Sequence, residues 1–308
     1  MLSLIVPAYN EGGNVDAAVG TLCGVLGQAQ IPFEIWLVDD GSKDDTFARI
    51  QALAMRDSRI HGVSFSRNFG KEAAVFAGLK YAAGDCCVVI DCDLQHPPEK
   101  ISEMYALWQQ GYEVVEGIKA KRGHESLAYK LSAGLFYKTI SRLIHIDMAS
   151  SSDFKLLDRK VVDVLLSLPE RKTFFRALSF WAGFKSVKVP FEVAQRRLGK
   201  SKWSFASLLK YATGNITSFT AVPLQLVTVL GVLLIVASVA LIIQTLVRFF
   251  MGDAQTGFTT VILLLLLIGG AIMVSLGIIG HYIGKIYDEI KGRPRYIVRT
   301  TTEDEEKR

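Results

Sequence analysis

Over its first third the chain alternates short apolar runs with stretches of helical spacing. Residues 2–6 form an apolar run stopped by Pro7; residues 33–38, 60–64 and 86–90 form three more. Between them, residues 14–26, 44–55 and 71–83 repeat apolar side chains every three or four positions, which predicts amphipathic helices. Asn14 is a candidate N-cap for the first of these and Gly84 a stop for the third. Strands joined by crossover helices predict an α/β domain with a mainly parallel sheet covered on both faces. The run at 86–90 is apolar throughout, which predicts a central strand. Residues 99–190 carry a weaker pattern. There 111–115 and 186–190 read as strands, and 126–143, 161–166 and 174–182 as helices.

The last third is different. Between Val222 and Ile283 the only formally charged residues are Arg248 and Asp253. Residues 222–247 and 258–283 are each long enough, at about 39 Å, to cross a ~30 Å hydrocarbon core. Lys185 to Lys210 holds seven Lys/Arg against one acid, and Lys285 to Arg299 five against two. The positive-inside rule places both flanks, and hence both termini, in the cytoplasm. Before the first span, Phe205, Leu208, Leu209, Ala212, Ile216 and Phe219 share one face of residues 204–221, as in a helix lying in the interface. The expected organisation is a cytoplasmic domain over 1–203, a juxtamembrane helix over 204–221, spans at 222–247 and 258–283, and a tail over 284–308. The tail's acidic end, from Glu303, is expected to be disordered. Small residues in the second span, including Gly280 and Gly284 in a GxxxG, permit close packing and predict a homo-oligomer.

Composition narrows the classes further. Half of the 308 residues are hydrophobic, 21% are charged and the mean hydropathy is +0.29. That mix excludes a disordered chain or a disulfide scaffold. The net charge of +5 is modest, and no basic-aromatic repeat accompanies it, so nucleic acid is not an expected partner. Cys23, Cys86, Cys87 and Cys92 form no CxxC pair and read as buried free thiols, as in a reducing compartment. The N-terminus lacks the basic and apolar regions of a signal peptide.

In parallel sheets, ligands bind at the carboxyl ends of the strands. Three of the four apolar runs end there in polar or acidic turns: Asn10 and Glu11, Asp39 and Asp40, and Asp91-Cys92-Asp93. A carboxylate at the end of an apolar strand needs a compensating cation or donors. A hard divalent ion bridging to a diphosphate suits a pair of acids one residue apart, because Mg²⁺ takes one or two carboxylates plus phosphate oxygens. A lone DxD is equally compatible with turn or cap acids. His96, ahead of two prolines, reads as a turn residue. No GxGxxG is present, so a nicotinamide site has no support.

The three ordered motifs, Pro7-Ala8-Tyr9-Asn10-Glu11, Val38-Asp39-Asp40-Gly41-Ser42 and Asp91-Cys92-Asp93-Leu94-Gln95-His96-Pro97-Pro98-Glu99, resemble those of glycosyltransferase family 2 across residues 1–220. Ser66-Arg67-Asn68-Phe69-Gly70-Lys71-Glu72, Ser152-Asp153-Phe154-Lys155 and Arg196-Arg197-Leu198-Gly199-Lys200-Ser201-Lys202-Trp203, with two C-terminal spans, resemble the bacterial polyprenyl-phosphate branch, a relative of dolichyl-phosphate mannose synthase. The QxxRW motif of processive polysaccharide synthases is missing.

The resemblance implies a GT-A fold at the inner membrane and a divalent cofactor, Mg²⁺ or Mn²⁺. It implies inverting transfer of a sugar from a nucleotide-sugar, such as UDP-glucose, to undecaprenyl phosphate. It places Pro7, Tyr9, Glu11, Asp39 and Asp40 around the nucleotide, and Asp91 and Asp93 at the metal and diphosphate, with Gln95 organising that turn. It nominates Asp153 as catalytic base. A lipid phosphate is largely dianionic at neutral pH, so orientation of the acceptor or a sugar hydroxyl is an alternative role for Asp153. Lys71, Arg122, Arg196 and Lys202 would meet phosphate, and Arg122 and Glu125 match a loop over the site. GDP-mannose as donor obeys the same logic. A catalytically silent membrane adaptor is the alternative from another class, against which the intact acids speak. A flippase is disfavoured, since two spans leave little room for a polar path.

Overall fold

The computed structural model describes residues 1–119, 152–170, 174–192, 222–251 and 257–303. The chain forms two compact units: Met1–Lys202 together with Arg293–Arg308, and Trp203–Gly292.

The first unit is built on an eight-stranded sheet. Its strands are β1 (Leu2–Ala8), β2 (Phe33–Asp39), β3 (Ile60–Phe65), β4 (Cys86–Val89), β5 (Val114–Lys119), β6 (Lys155–Asp158), β7 (Ser186–Phe191) and β8 (Val298–Thr301). The order is β7-β5-β6-β4-β1-β2-β3-β8. The block β4-β1-β2-β3 is parallel, as expected. β6 runs antiparallel to both β4 and β5, β5 pairs parallel with β7, and β8 closes the far edge antiparallel to β3.

All seven residues of β1 and of β2 are buried, so both faces are covered and strand alternation is hidden. Helices α1 (Gly12–Gln28), α2 (Thr46–Ala54) and α4 (Lys100–Gln109) share one core with Leu2, Leu4, Val6, Ile35 and Leu37. Helix α3 (Lys71–Tyr81) lies against β1 and β2 so closely that a Cβ at Gly78 would stand 2.3 Å from Ile5 Cγ2. Helices α5 (Arg159–Ser167) and α6 (Phe175–Trp181) follow β6.

Several local expectations are corrected. The first helix begins at Gly12, after Glu11, so Asn14 lies inside it and is not its cap. Helix α3 ends at Tyr81, before Gly84. Strands β6 and β8 and helix α4 did not stand out in the hydropathy pattern. The span reading of 284–308 as one tail also changes: the second apolar helix continues to Ile290, and residues 298–301 join the sheet. The helix expected at 126–143 and the interfacial helix at 204–221 lie outside the described residues. The four cysteines are free, with Cys86, Cys87 and Cys92 buried.

The second unit contains α7 (Val222–Phe250) and α8 (Phe258–Ile290). Val227–Thr245 and Leu267–Ile290 are long and apolar enough to cross a membrane. Large apolar side chains such as Leu233, Ile235, Val236, Leu265, Met273 and Val274 are exposed on them. Helices this apolar and this open to their surroundings are suited to lipid rather than water, as in a membrane-associated chain.

Candidate active site

The carboxyl ends of β1, β2 and β4 gather the predicted acids along one edge of the sheet. On the β1–β2 side the turns are stitched together. Asn10, at φ +54°, donates its N–H to Ser42 Oγ at 2.9 Å, and Lys43 N–H donates to Asn10 Oδ1 at 3.0 Å. Glu11 N–H donates to Thr46 Oγ1 at 2.9 Å, and the Glu11 carboxylate accepts from Asn14 Nδ2 at 2.6 Å. Pro7 is buried opposite Val38, while Tyr9 is 43% exposed on the rim.

Asp39 and Asp40 are both buried, and their bonds are internal. Asp39 accepts from Ser42 N–H at 2.9 Å and from Ser64 Oγ at 2.7 Å. Asp40 accepts from the N–H groups of Phe69 and Gly70 at 2.6 and 2.8 Å. Burial pushes the Asp40 carboxyl up; the two amide bonds oppose this and the Asp39 charge adds to it. Gly41 is required here: it sits at φ +68°, and a Cβ would lie 2.4 Å from the Arg67 carbonyl carbon. The resemblance implies that these two acids contact the nucleotide; in the structure they also hold the loop at 66–70 and the turn at 41–42 in place.

On the β4 side the acids face side-chain cations instead. Lys71, the first residue of α3, brings its Nζ to 2.6 Å from Asp91 Oδ1 and 2.8 Å from Asp153 Oδ2. Arg176 grips Asp153 with two bonds, Nε–Oδ1 at 2.6 Å and Nη2–Oδ2 at 3.0 Å. Burial alone would raise the Asp153 carboxyl. The bonds and charge of Arg176, and then of Lys71, outweigh that and hold it far below the usual carboxylate range. Burial likewise opposes the Lys71 ammonium, but the Asp91 and Asp153 charges carry its pKa above the ordinary value. Glu72 accepts from Phe175 N–H at 2.8 Å; burial, and secondarily the Asp153 charge, push it up to about 7. Asp153, paired with two cations, is a strong electrostatic anchor at this end of the sheet.

The turn after β4 is shaped by its own backbone. Leu94 sits at φ +53°, and Gln95 N–H donates to Asp93 Oδ1 at 3.1 Å. His96 is buried, stacked on Phe154 with ring centroids 5.2 Å apart, and its Nδ1 lies 3.9 Å from Asp91 Oδ2. Burial lowers its pKa.

Behind Asp153, Lys155 is buried and pairs with Glu116 at 3.1 Å, its cross-strand neighbour. Its Nζ also donates to Ser179 Oγ at 2.8 Å, which ties β6 to α6. Arg176 and Glu72 were not singled out from the sequence. Arg176 is flanked by Phe174, Phe175, Ala177 and Leu178, and a lone cation in an apolar stretch was the available signal. The predicted residues Arg122, Glu125, Arg196 and Lys202 lie outside the described residues.

The donor set suits a divalent cation. Asp91 and Asp93 offer two carboxylates on one turn, and a cationic group already lies against Asp91. Among the described residues no group of three or more His, Cys, Asp or Glu could hold a metal alone. The remaining ligands would then be substrate oxygens, the pattern of Mg²⁺ at phosphate sites.

A parallel-cored sheet with two aspartates on the turn after β4, the first of them paired with Lys71, is the arrangement expected of a GT-A glycosyltransferase. The chain belongs to glycosyl transferase family 2, whose profile matches residues 3–166. It is 38% identical over 308 residues to the uncharacterized glycosyltransferase YkcC of Bacillus subtilis, covering 99% of this chain and 95% of that one. It is 36% identical over 305 residues to the SfII prophage-derived bactoprenol glucosyl transferase of Shigella flexneri, covering 97% of each. Among solved structures, glucosyl-3-phosphoglycerate synthase from Mycobacterium tuberculosis, in complex with Mn²⁺, UDP and phosphoglyceric acid, aligns over 70% of this chain and 76% of its own. The TM-score is 0.51 and the identity 19%, a likeness of fold.

Proposed function

We propose that the protein transfers a hexose from a nucleotide-sugar, a UDP-sugar such as UDP-glucose, to undecaprenyl phosphate at the cytoplasmic face of the inner membrane. The observation that carries this reading is the likeness to a bactoprenol glucosyl transferase over 97% of both chains, which includes the two apolar helices as well as the GT-A domain. In the reaction, an acceptor phosphate oxygen forms a bond to the sugar's anomeric carbon. The bond from that carbon to the nucleoside diphosphate breaks, its electron pair leaves with the diphosphate, and the configuration inverts.

The residues divide this labour. Pro7, Tyr9, Glu11, Asp39 and Asp40 line the nucleotide pocket, and Asp39 and Asp40 also fix the loops that shape it. Asp91, Asp93 and the Gln95 turn would hold Mg²⁺ or Mn²⁺, which would supply Lewis-acid neutralisation of the diphosphate. Lys71 exchanges Asp91 for a phosphate oxygen as donor enters. Asp153, gripped by Arg176, stays ionised and positions Lys71 and the incoming groups. Arg122, Glu125, Arg196 and Lys202 complete the phosphate-binding set. Positioning and charge stabilisation supply most of the rate. Self-association through the glycine-bearing face of α8 belongs to the same reading.

The test uses full-length protein in detergent with undecaprenyl phosphate, offered UDP-glucose, UDP-GlcNAc, UDP-galactose or GDP-mannose, with and without Mg²⁺ or Mn²⁺. A labelled lipid product that needs metal and falls at least about 100-fold in Asp93→Ala is the expected result. A lipid product from GDP-mannose alone would replace the UDP donor. Absence of both turnover and nucleotide binding would favour the adaptor.

A further inference from the structure

The chain passes through both apolar helices and then returns to the first unit, and the place where it returns is informative. Ile297 accepts from Ser66 N–H at 3.0 Å, and β8 continues against β3, pairing Val298 with Phe65, Thr300 with Ser64 and Thr301 with Val63. The register shifts between Ser64 and Phe65, where β3 leaves the sheet for the 66–70 loop. Tyr296 stacks on Phe65, with centroids 4.9 Å apart and planes at 11°, and Phe65 in turn meets Phe69 edge-on at 5.8 Å. Arg295 lies over the Phe76 ring of α3 at 4.9 Å and donates to the Leu168 carbonyl after α5. Thr302 Oγ1 accepts from Gly62 N–H at 2.9 Å.

These contacts converge on the elements that place the site. Ser64 bonds Asp39, the 66–70 loop is the one Asp40 holds, and α3 begins with Lys71 and Glu72. Asp40 fixes the loop at Phe69 and Gly70, while Ile297 accepts from its Ser66 and Tyr296 braces Phe65, on which Phe69 packs. A loop fixed from one side only has a second set of positions open to it, and displacements of about 1 Å in a catalytic group cost about 100-fold in rate.

We infer that the segment after the second apolar helix is a positioning element of the active site: Arg295, Tyr296 and β8 buttress the 66–70 loop and α3, and thereby set Lys71 against Asp91 and Asp153. The inference rests on the proposed role of Lys71 for its catalytic consequence, but its structural part stands apart from it. In sequence, β8 follows α8 after seven intervening residues, 291–297, so the catalytic sheet is completed only by chain that lies beyond the membrane-type helices.

The test compares full-length Tyr296→Ala, Tyr296→Phe and Arg299→Ala with a chain stopped after Gly292, all in detergent. Arg299 is exposed on the same strand and serves as control. Two quantities are read: amide exchange of residues 66–71 against that of α1, and kcat and KM for lipid product. Exchange at 66–71 is expected to rise at least about tenfold in Tyr296→Ala and in the stopped chain, with α1 unchanged. The kcat is expected to fall about tenfold or more with donor KM altered less. Tyr296→Phe, which keeps the stacked ring, and Arg299→Ala should match the parent. Unchanged exchange at 66–71 in both Tyr296→Ala and the stopped chain would overturn the inference. So would a uniform rise across α1 as well, which would make β8 a general stabiliser. A parent chain without turnover would count against the proposed function alone, since the exchange arm still decides this one.

Discussion

The two acid groups at the sheet edge use the same residue type in opposite ways. Asp39 and Asp40 are paired with backbone N–H groups and a serine hydroxyl. Asp91 and Asp153 are paired with Lys71, and Asp153 also with Arg176. A backbone amide cannot leave without moving the chain, whereas an ammonium on a four-carbon stem can turn to another anion. On the proposed reading the first group also braces the loops around the site, and the second is a set of charges able to change partners as substrate arrives. The partner, more than the carboxylate, decides the role.

The sharpest way to break this contrast is Asp153→Asn. The change removes the buried charge that Lys71 and Arg176 both face and leaves them to repel. Breaking such a buried pair costs about 3–5 kcal/mol, so chemical unfolding should show a loss near 3 kcal/mol and turnover should drop at least about 100-fold. A variant with the parent's unfolding midpoint and activity would show that the network is not what holds the β4 side. Asp40→Ala comes next. Two N–H groups lose their acceptor, at about 1–3 kcal/mol for an unmet buried group. Stability should fall by about 2 kcal/mol, and Asp40→Asn, which keeps one accepting oxygen, should lose less. If Asp40→Ala instead weakened nucleotide binding with stability intact, Asp40 would belong with the exchangeable group.

What could be read in advance follows the same division. The parallel strands were legible because runs such as Leu2–Ala8 are covered on both faces, and their acids were legible because each ends such a run. Strand β6 was hidden: its four residues carry a charge at each end, and Lys155 is buried against partners from other elements, Glu116 on β5 and Ser179 on α6. No local pattern announces a buried cation whose partner comes from another strand. β8 was hidden for a related reason, since four residues with an exposed arginine, far from β3 in sequence, read as tail. Arg176 sits 23 residues from Asp153 and outside every recognised motif. Asp40 was recognised as important, but its amide partners at 69 and 70 are visible only in the folded loop.

The smallest expected effect concerns Glu72, at the border between the two groups. Its carboxylate accepts from a backbone N–H, like Asp40, yet burial, helped by the Asp153 charge, raises it to about 7 from an ordinary 4.5. Between those two values the folded protein retains a proton that the unfolded chain has released. Stability from this group therefore falls as pH rises from about 4.5 to about 7, by at most about 1.4 kcal/mol per pH unit, and is level above that. Glu72→Gln keeps an oxygen for Phe175 N–H and removes the titration. Unfolding midpoints of the variant and the parent, measured from pH 5 to 8, should diverge as pH rises, with the variant the more stable, and then run parallel above pH 7. Curves that stay parallel over the whole range would mean that Glu72 is ionised throughout. Burial and the Asp153 charge would then be outweighed at Glu72 by the Phe175 amide and the nearby Arg176 and Lys71 charges, and Glu72 would belong with the exchangeable charges.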